Sequence, residues 1–81
     1  MNIAHAVRER ILELCHEQGY TVHRLATKSA MSQSTIRNFI VGNTNNIGIV
    51  TIKIICDGLD ISLVDFFNKD VFKGVALNED D

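Results

Sequence analysis

Residues 25–36, LATKSAMSQSTI, contain the boundary between two short helices. Thr21 lies just before this segment and can cap the earlier helix with its hydroxyl, and Ser32 is the next residue well suited to cap a helix. Because Ser32 follows so closely, the earlier helix has to end near Ser29 and the chain has to turn at residues 30–31. The segment therefore predicts two helices joined by a three- or four-residue turn, which is helix-turn-helix spacing.

The later of these two helices is expected to run from about Gln33 to Val41. Gly42 follows it and supplies the left-handed residue with which helices commonly end. Gln33 and Ser34 fall in its first turn and are expected to be exposed, and residues 43–46 form a loop. Three apolar residues of this helix recur at helical spacing and are expected to face the core, namely Ile36, Phe39 and Ile40.

Apolar spacing predicts three further helices. The first is expected from about Ile3 to Gln18 with Asn2 as its cap, and the fourth from about Ile49 to Leu59. Ser62 begins the fifth, where Asp65 stands three residues later at the spacing of a capping box. The remaining core residues are expected to be Val7, Ile11, Leu14, Cys15, Leu25, Ala26, Ile52, Ile55, Cys56, Leu59, Leu63, Phe66 and Phe67.

The chain of 81 residues is long enough for one small domain with one core. Apolar residues make up 46% of it and charged residues 22%, a balance that supports a packed globule. Helical spacing without an alternating strand pattern predicts an all-α fold, a compact five-helix bundle at residues 1–68 with a short C-terminal tail at residues 69–81. Since no apolar run approaches a membrane span and the N-terminus lacks an export segment, a cytoplasmic protein is expected.

The net charge of −2 is unusual for a nucleic-acid binder, but the charges are unevenly distributed. The chain has no acidic residue between Gln18 and Cys56, where its basic residues are Arg24, Lys28, Arg37 and Lys53. From Asp57 onward, acidic residues predominate. A middle segment without carboxylates can face phosphates without repulsion, although its positive charge is modest. Chance clustering in a small protein is the alternative.

Residues 25–36, together with Gly42, resemble the Cro and phage-repressor (XRE) family of helix-turn-helix DNA-binding domains. Members of that family share a Leu-Ala pair on the second helix, a turn of small residues, and a recognition helix that opens with a Ser-Gln-Ser-Thr-Ile type sequence. Residues 51–59, TIKIICDGL, with the later Ser-Leu and Phe-Phe pairs, are similar to the family's closing helices. The resemblance extends over about residues 5–68 and implies a lambda-repressor-like bundle.

The resemblance also implies which residues contact DNA. Base reading falls on Gln33, Ser34 and Asn38, and contacts to the DNA backbone fall on Thr21, Ser32, Thr35, Arg37, Asn43 and Thr44. Two of these roles agree with the chemistry of the residues, because a capped helix start at Ser32 offers backbone N–H groups to a phosphate and a Gln amide can pair with adenine. The alternative is that Gln33 and Ser34 are ordinary first-turn residues on a wet surface.

Five positions depart from the family pattern. Ala30 occupies the turn position usually held by Gly, so the turn is expected to be strained or slightly rearranged. Val22 replaces a Gln that can reach a phosphate, and Ile54 stands where relatives often carry Lys. Cys15 and Ile40 replace an Arg and a Glu that pair in many members, and this joint exchange for apolar groups can be neutral or stabilising.

These features predict a sequence-specific transcriptional regulator, acting as a repressor, that inserts its third helix into the major groove of double-stranded DNA. A homodimer is expected, because the fourth helix and the tail carry apolar residues beyond those that the core needs. The expected dimer interface consists of Ile47, Val50, Ile54, Val71 and Phe72. A tail folded back onto its own core is the alternative for the last two. The rival function is a helix-turn-helix fold used as a protein-interaction or antitoxin-like module with weak or no DNA binding.

Other kinds of site find little support in the sequence. His5, His16 and His23 with Cys15 lack the spacing of a metal site. No phosphate-binding Gly loop, nucleophile elbow or paired acid and base is recognised. We therefore expect no enzymatic activity and no cofactor, metal, small-molecule ligand or membrane partner. Cys15 and Cys56 are expected to be buried free thiols.

Overall fold

A computed structural model describes residues 2–77 of the chain. Four of its five α-helices begin at a residue whose side chain was predicted to cap a helix. Each cap accepts a hydrogen bond from the backbone N–H three residues on, at 2.8 Å for Asn2, 3.0 Å for Thr21, 3.3 Å for Ser32 and 3.0 Å for Ser62. The helices are α1 at Ile3–Gln18, α2 at Val22–Lys28, α3 at Gln33–Ile40, α4 at Ile49–Gly58 and α5 at Leu63–Phe67, and one turn of 3-10 helix follows at Asp70–Phe72.

The predicted all-α, five-helix architecture is confirmed. α1 has the predicted bounds, while α3 and α4 each end one residue before the predicted end. The residues that follow them, Val41 and Leu59, still donate their backbone N–H groups into the last helical turn, at 2.9 Å to Arg37 O and Ile55 O. Within residues 2–77, no helix has the length and apolar character that crossing a membrane requires.

Side chains from all five helices meet in one core. Every core residue predicted on α1, α2 and α4 is buried, and so are Ile36, Phe39 and Phe66. Ile40, Leu63 and Phe67 are only half-buried, because they pack against the core from its rim. The expectation of two buried free thiols is confirmed, with Cys15 and Cys56 exposed by 3% and 0%.

The turn between α2 and α3 keeps a left-handed residue although that residue is not Gly. Ala30 has φ 53°, so its backbone has the conformation that a Gly would supply, and the turn is strained rather than rearranged. A Cβ in this region costs roughly 1–2 kcal/mol. The turn is closed by hydrogen bonds from Ala30 N to Thr27 O at 3.2 Å and from Met31 N to Ala26 O at 3.0 Å. These bonds set the direction in which α3 leaves α2.

The described part of the tail, residues 69–77, lies against the bundle. The ring of Phe72 has its centroid 4.9 Å from that of Phe67 and 6.1 Å from that of Phe66. The backbone N–H of Ile3 donates to Ala76 O at 2.8 Å, which joins the tail to the start of α1. This is the arrangement in which the tail folds back onto its own core, and residues 78–81 of the predicted tail lie outside the described part.

Arg10 connects α1 to α5 from a buried position, with an exposed fraction of 6%. Its Nε donates to Phe66 O at 2.7 Å and its Nη2 to Asp65 O at 2.9 Å, and its Nη1 pairs with Glu13. Both carbonyls lie in the last turn of α5, and Asp65 O also accepts from the backbone N–H of Asn68 at 3.3 Å. A cationic side chain in the middle of one helix therefore binds carbonyls at the C-terminal end of another.

Candidate nucleic-acid interface

The outer face of α3 is polar along its whole length. Ile36 and Phe39 point into the core, each 2% exposed, because they lie three residues apart on one side of the helix. The residues on the other side are all exposed, namely Gln33, Ser34, Thr35, Arg37 and Asn38. All three predicted base-reading residues therefore lie on the solvent face of one helix.

Hydroxyl groups cluster at the start of α3. Ser32 Oγ lies 2.7 Å from Thr35 Oγ1 and 3.4 Å from Ser34 Oγ, in addition to accepting from Thr35 N. These groups surround the positive end of the helix dipole. The predicted backbone contacts Ser32 and Thr35 and the predicted base reader Ser34 thus form one small polar patch.

The two Asn residues at the far end of α3 are joined to each other. Asn43 Nδ2 donates to Asn38 Oδ1 at 3.2 Å, and the backbone N–H of Asn43 donates to Asn38 O at 2.9 Å. Thr44 follows, with its Oγ1 accepting from Asn46 N at 3.1 Å. Gly42 makes this sharp departure from the helix possible with φ 88°. The structure therefore brings Asn43 and Thr44 next to the exposed face of α3.

A groove with a volume of about 330 Å³ separates the start of α2 from α3. Val22 lies in its wall, at the position where the family often has Gln, together with Gln33 and Arg37 from α3. Thr21 is exposed beside it and caps α2 with its hydroxyl. Val22 has no hydrogen-bonding side chain, unlike the Gln that is common there in the family. On the α3 side of this groove, the side chains that can form hydrogen bonds are Gln33 and Arg37.

Most basic residues of the segment without acidic residues are not paired with a carboxylate, although the net charge of the chain is negative. Among residues 2–77, no ion pair involves Arg24, Lys28 or Arg37, all of which are exposed. Lys53 differs, because its Nζ lies 2.6 Å from Asp57 Oδ1 and this hydrogen-bonded carboxylate raises the pKa of Lys53. Three of the four basic residues of the acid-free segment therefore remain available to a phosphate.

The residues expected at a dimer interface differ in exposure. Val50 is 70% exposed and Ile54 36%, while Ile47 is half-buried. Val71 and Phe72 are also half-buried, with Phe72 held in the aromatic cluster of the tail. The exposed apolar residues outside the expected interface are Leu12, Val41, Ile49, Val64 and Leu77. Exposed apolar side chains therefore lie on several elements, and those of Val41, Ile49 and Val50 lie close together in the chain.

Arg8 is a residue beside this interface that the sequence reasoning missed. It lies on α1, yet its Nε donates to Phe39 O at 2.6 Å and its Nη2 to Thr44 O at 2.8 Å. The only signal in the sequence is its position next to the buried Val7, which places a long side chain at the border of the core. That position does not reveal which carbonyls the side chain will meet.

Comparisons with known proteins agree with this geometry. A family model described as a Cro/C1-type HTH DNA-binding domain matches residues 10–69. Among solved structures, the chain is similar to one described as prophage Lp1 protein 11, with a TM-score of 0.80 and 33% sequence identity, over 93% of this chain and 100% of that chain. No curated protein matches the chain. The matched range includes all of α2, α3 and the turn between them.

Proposed function

The chain belongs to the Cro/C1-type helix-turn-helix DNA-binding domain family, as the resemblance in its sequence implied, and we propose that it is a sequence-specific transcriptional repressor. The observation that carries this proposal is the exposed, polar outer face of α3, which carries Arg37, a cation that forms no ion pair within residues 2–77. A helix of this kind fits the major groove, whose base edges differ for every base pair.

We assign base reading to three residues of α3. Gln33 and Ser34 lie in the first turn, which enters the groove first in helix-turn-helix proteins, and Asn38 lies more than a turn further along. The Gln33 amide offers one donor and one acceptor, which match N7 and N6 of adenine. Contacts to the DNA backbone are assigned to Thr21, Ser32, Thr35, Arg37, Asn43 and Thr44.

The proposed repressor acts as a homodimer. One recognition helix reads only a few base pairs, whereas two helices related by a twofold axis read half-sites about 34 Å apart. The exposed Val50 and the partly exposed Ile54 on α4, with Ile47 beside them, provide apolar surface for such a contact. The proposed interface also includes Val71 and Phe72, through the parts of their half-buried side chains that are accessible to solvent.

The experiment that tests the function is selection of binding sites from random double-stranded DNA, combined with binding to the DNA upstream of the protein's own gene. We expect enrichment of a pseudo-palindromic site and an affinity that falls steeply as salt rises, because bound phosphates release counterions. Binding that is equally weak for all sequences, or absent at low salt, would contradict the proposal.

A second candidate is a protein-interaction module, and one observation favours it. Val41, Ile49 and Val50 are 57%, 62% and 70% exposed, and they lie close together in the chain around the α3–α4 connection. Surface of this kind often marks a protein contact. The two functions are separated by the variant Gln33→Ala, which should weaken binding to the enriched DNA site by about 1–3 kcal/mol and leave a purely protein-mediated activity unchanged.

A further inference from the structure

Arg8 makes three hydrogen bonds to the segment that ends and follows α3. Its Nε donates to Phe39 O at 2.6 Å, and its Nη2 donates to Thr44 O at 2.8 Å and to Asn45 Oδ1 at 2.6 Å. Its guanidinium carbon lies 4.8 Å from the centroid of the Phe39 ring. One planar cation on α1 therefore holds both the C-terminal turn of α3 and the loop beyond it.

The loop at Thr44 and Asn45 has few other attachments. Within residues 2–77, the hydrogen bonds that connect Thr44 and Asn45 to another helix both come from Arg8. The neighbouring bond from Asn46 N to Thr44 Oγ1 lies within the loop and does not attach it to a helix. Apart from the bonds between Asn43 and Asn38, the hydrogen bonds that attach this loop to a helix in the described part of the chain therefore come from α1.

The same loop leads directly to the end of the exposed face of α3. Asn43 bonds to Asn38 through both its backbone and its side chain, so a shift of residues 44–45 would move the Asn38 amide. The rotamer of an exposed Asn is otherwise weakly determined. A chain of hydrogen bonds thus runs from Arg8 through the loop to Asn38.

We propose that Arg8 is a positioning residue for DNA recognition, which fixes Asn43, Thr44 and Asn38 in one geometry without itself touching DNA. This inference rests on the proposed DNA-binding function. Arg8 suits the role because two of its nitrogens are already engaged by protein acceptors, and because a guanidinium offers donors in a rigid fork that Lys lacks. A cation at the C-terminal end of α3 also complements the negative end of the helix dipole.

The proposed role of Arg8 predicts a different effect on DNA binding from that of a residue that contacts a phosphate. A side chain that contacts a phosphate contributes about one unit to the slope of log affinity against log salt. Arg8 should contribute almost nothing to that slope, but its loss should lower affinity for the specific site more than affinity for random DNA. Arg37, on the exposed face of α3, should show the opposite behaviour.

The first arm of the test uses the free protein. In Arg8→Met, the backbone amide of Asn43 should exchange with solvent about tenfold faster than in wild type, because the loop loses its attachment to α1. Arg10→Met is the matched control, since it removes a similar set of bonds from the same helix but at α5. Unchanged exchange at Asn43 in Arg8→Met would overturn the proposal.

The second arm measures DNA binding at several salt concentrations. Arg8→Met should weaken specific binding about tenfold or more with an unchanged salt slope, and Arg8→Lys should recover only part of the loss. A slope lowered by about one unit would overturn the proposal, because Arg8 would then contact a phosphate. If Arg8→Met does not fold, Arg8→Lys supplies both arms. If the wild type binds no DNA, the proposed function fails, and Asn43 exchange still decides whether Arg8 holds the loop.

Discussion

Ser29 and Gly58 approach each other so closely that neither position tolerates a larger side chain. Ser29 is 7% exposed, and its Oγ has no hydrogen-bond partner among residues 2–77. A Cβ added at Gly58 would overlap Ser29 Oγ and lie 3.2 Å from both Cα and Cβ of Ser29. The C-terminal ends of α2 and α4 therefore pack backbone against backbone at this point.

We expect Gly58→Ala to destabilise the fold by about 1–3 kcal/mol, because overpacking outweighs the better helix propensity of Ala. Ser29→Ala should be neutral or slightly stabilising, since it removes a buried hydroxyl without a partner. In the double variant, most of the Gly58→Ala loss should be recovered. Urea unfolding of the four proteins measures the coupling, and strictly additive effects would show that the two residues do not meet.

Gln33 and Arg37 are predicted to affect DNA binding in different ways although both are exposed on α3. Gln33→Ala should lose about 1–3 kcal/mol of specific affinity and keep the fold intact. Arg37→Ala should weaken binding to all sequences alike and lower the salt slope by about one unit. Equal losses on specific and random DNA for Gln33→Ala would remove it from the base-reading set.

At the scale of the helices, α1 organises the domain through two arginines that reach in different directions. Arg8 holds the end of α3, and Arg10 holds the end of α5. Each side chain donates to carbonyls at the C-terminal end of a helix, where the regular intrahelical hydrogen bonds end. The longest helix is therefore both a core element and a support for the C-terminal ends of two shorter ones.

The contribution of Arg10 can be measured against that of its ion-pair partner. Arg10→Met should destabilise the fold by about 2–4 kcal/mol, because the buried carbonyls of Asp65 and Phe66 lose charged donors. Glu13→Gln should cost at most about 1 kcal/mol, since Glu13 is 43% exposed and its charge is well solvated. Urea unfolding of the two variants measures the loss of stability in each. Similar losses would mean that the ion pair between Arg10 and Glu13 stabilises the fold more than the hydrogen bonds of Arg10 to the carbonyls do.

At the scale of the whole molecule, the two buried thiols give its stability a dependence on alkaline pH. Burial raises the pKa of both Cys15 and Cys56. An unfolded thiol ionises near pH 8.5, so above about that pH the unfolded chain releases protons that the folded chain retains. The thiols' contribution to stability is therefore full below that pH and is lost as the pH rises toward their folded pKa.

We expect the free energy of unfolding to decrease between pH 8 and about pH 10, with a smaller decrease in Cys15→Ala. Unfolding in urea at a series of pH values provides the measurement. Both thiols should also react slowly with a disulfide reagent in the folded protein and rapidly in urea. An identical pH dependence in Cys15→Ala would contradict a role for that thiol.

Self-association is the second property that we predict for the whole molecule. The intact protein should sediment as a dimer at micromolar concentration, and Val50→Lys and Ile54→Lys should shift it toward the monomer, because each places a charge in the proposed apolar contact. Val64→Lys is the control, since Val64 is 77% exposed on α5, outside the proposed interface. A monomeric wild type would contradict the proposed homodimer. An equal shift toward the monomer in all three variants would contradict the proposed interface.

The helices and their core faces could be predicted because short-range interactions determine them. A cap such as Ser32 bonds to a backbone N–H three residues away, and a buried stripe repeats with the period of the helix. The recognition helix and its exposed residues follow from the same local rules. For this reason the residue pattern placed Gln33 and Ser34 in an exposed first turn, and the family resemblance added Asn38, which lies on the same exposed face.

The remaining features depend on residues that are distant in the chain. Arg8 meets Phe39 across 31 positions and Arg10 meets Phe66 across 56. The close approach of Ser29 to Gly58 and the return of the tail to Ile3 likewise join separate elements. Local propensity carries no information about such contacts, because they exist only once the helices have packed at particular angles and distances. Tertiary packing therefore decides how α3 is held, although local sequence decides that it forms.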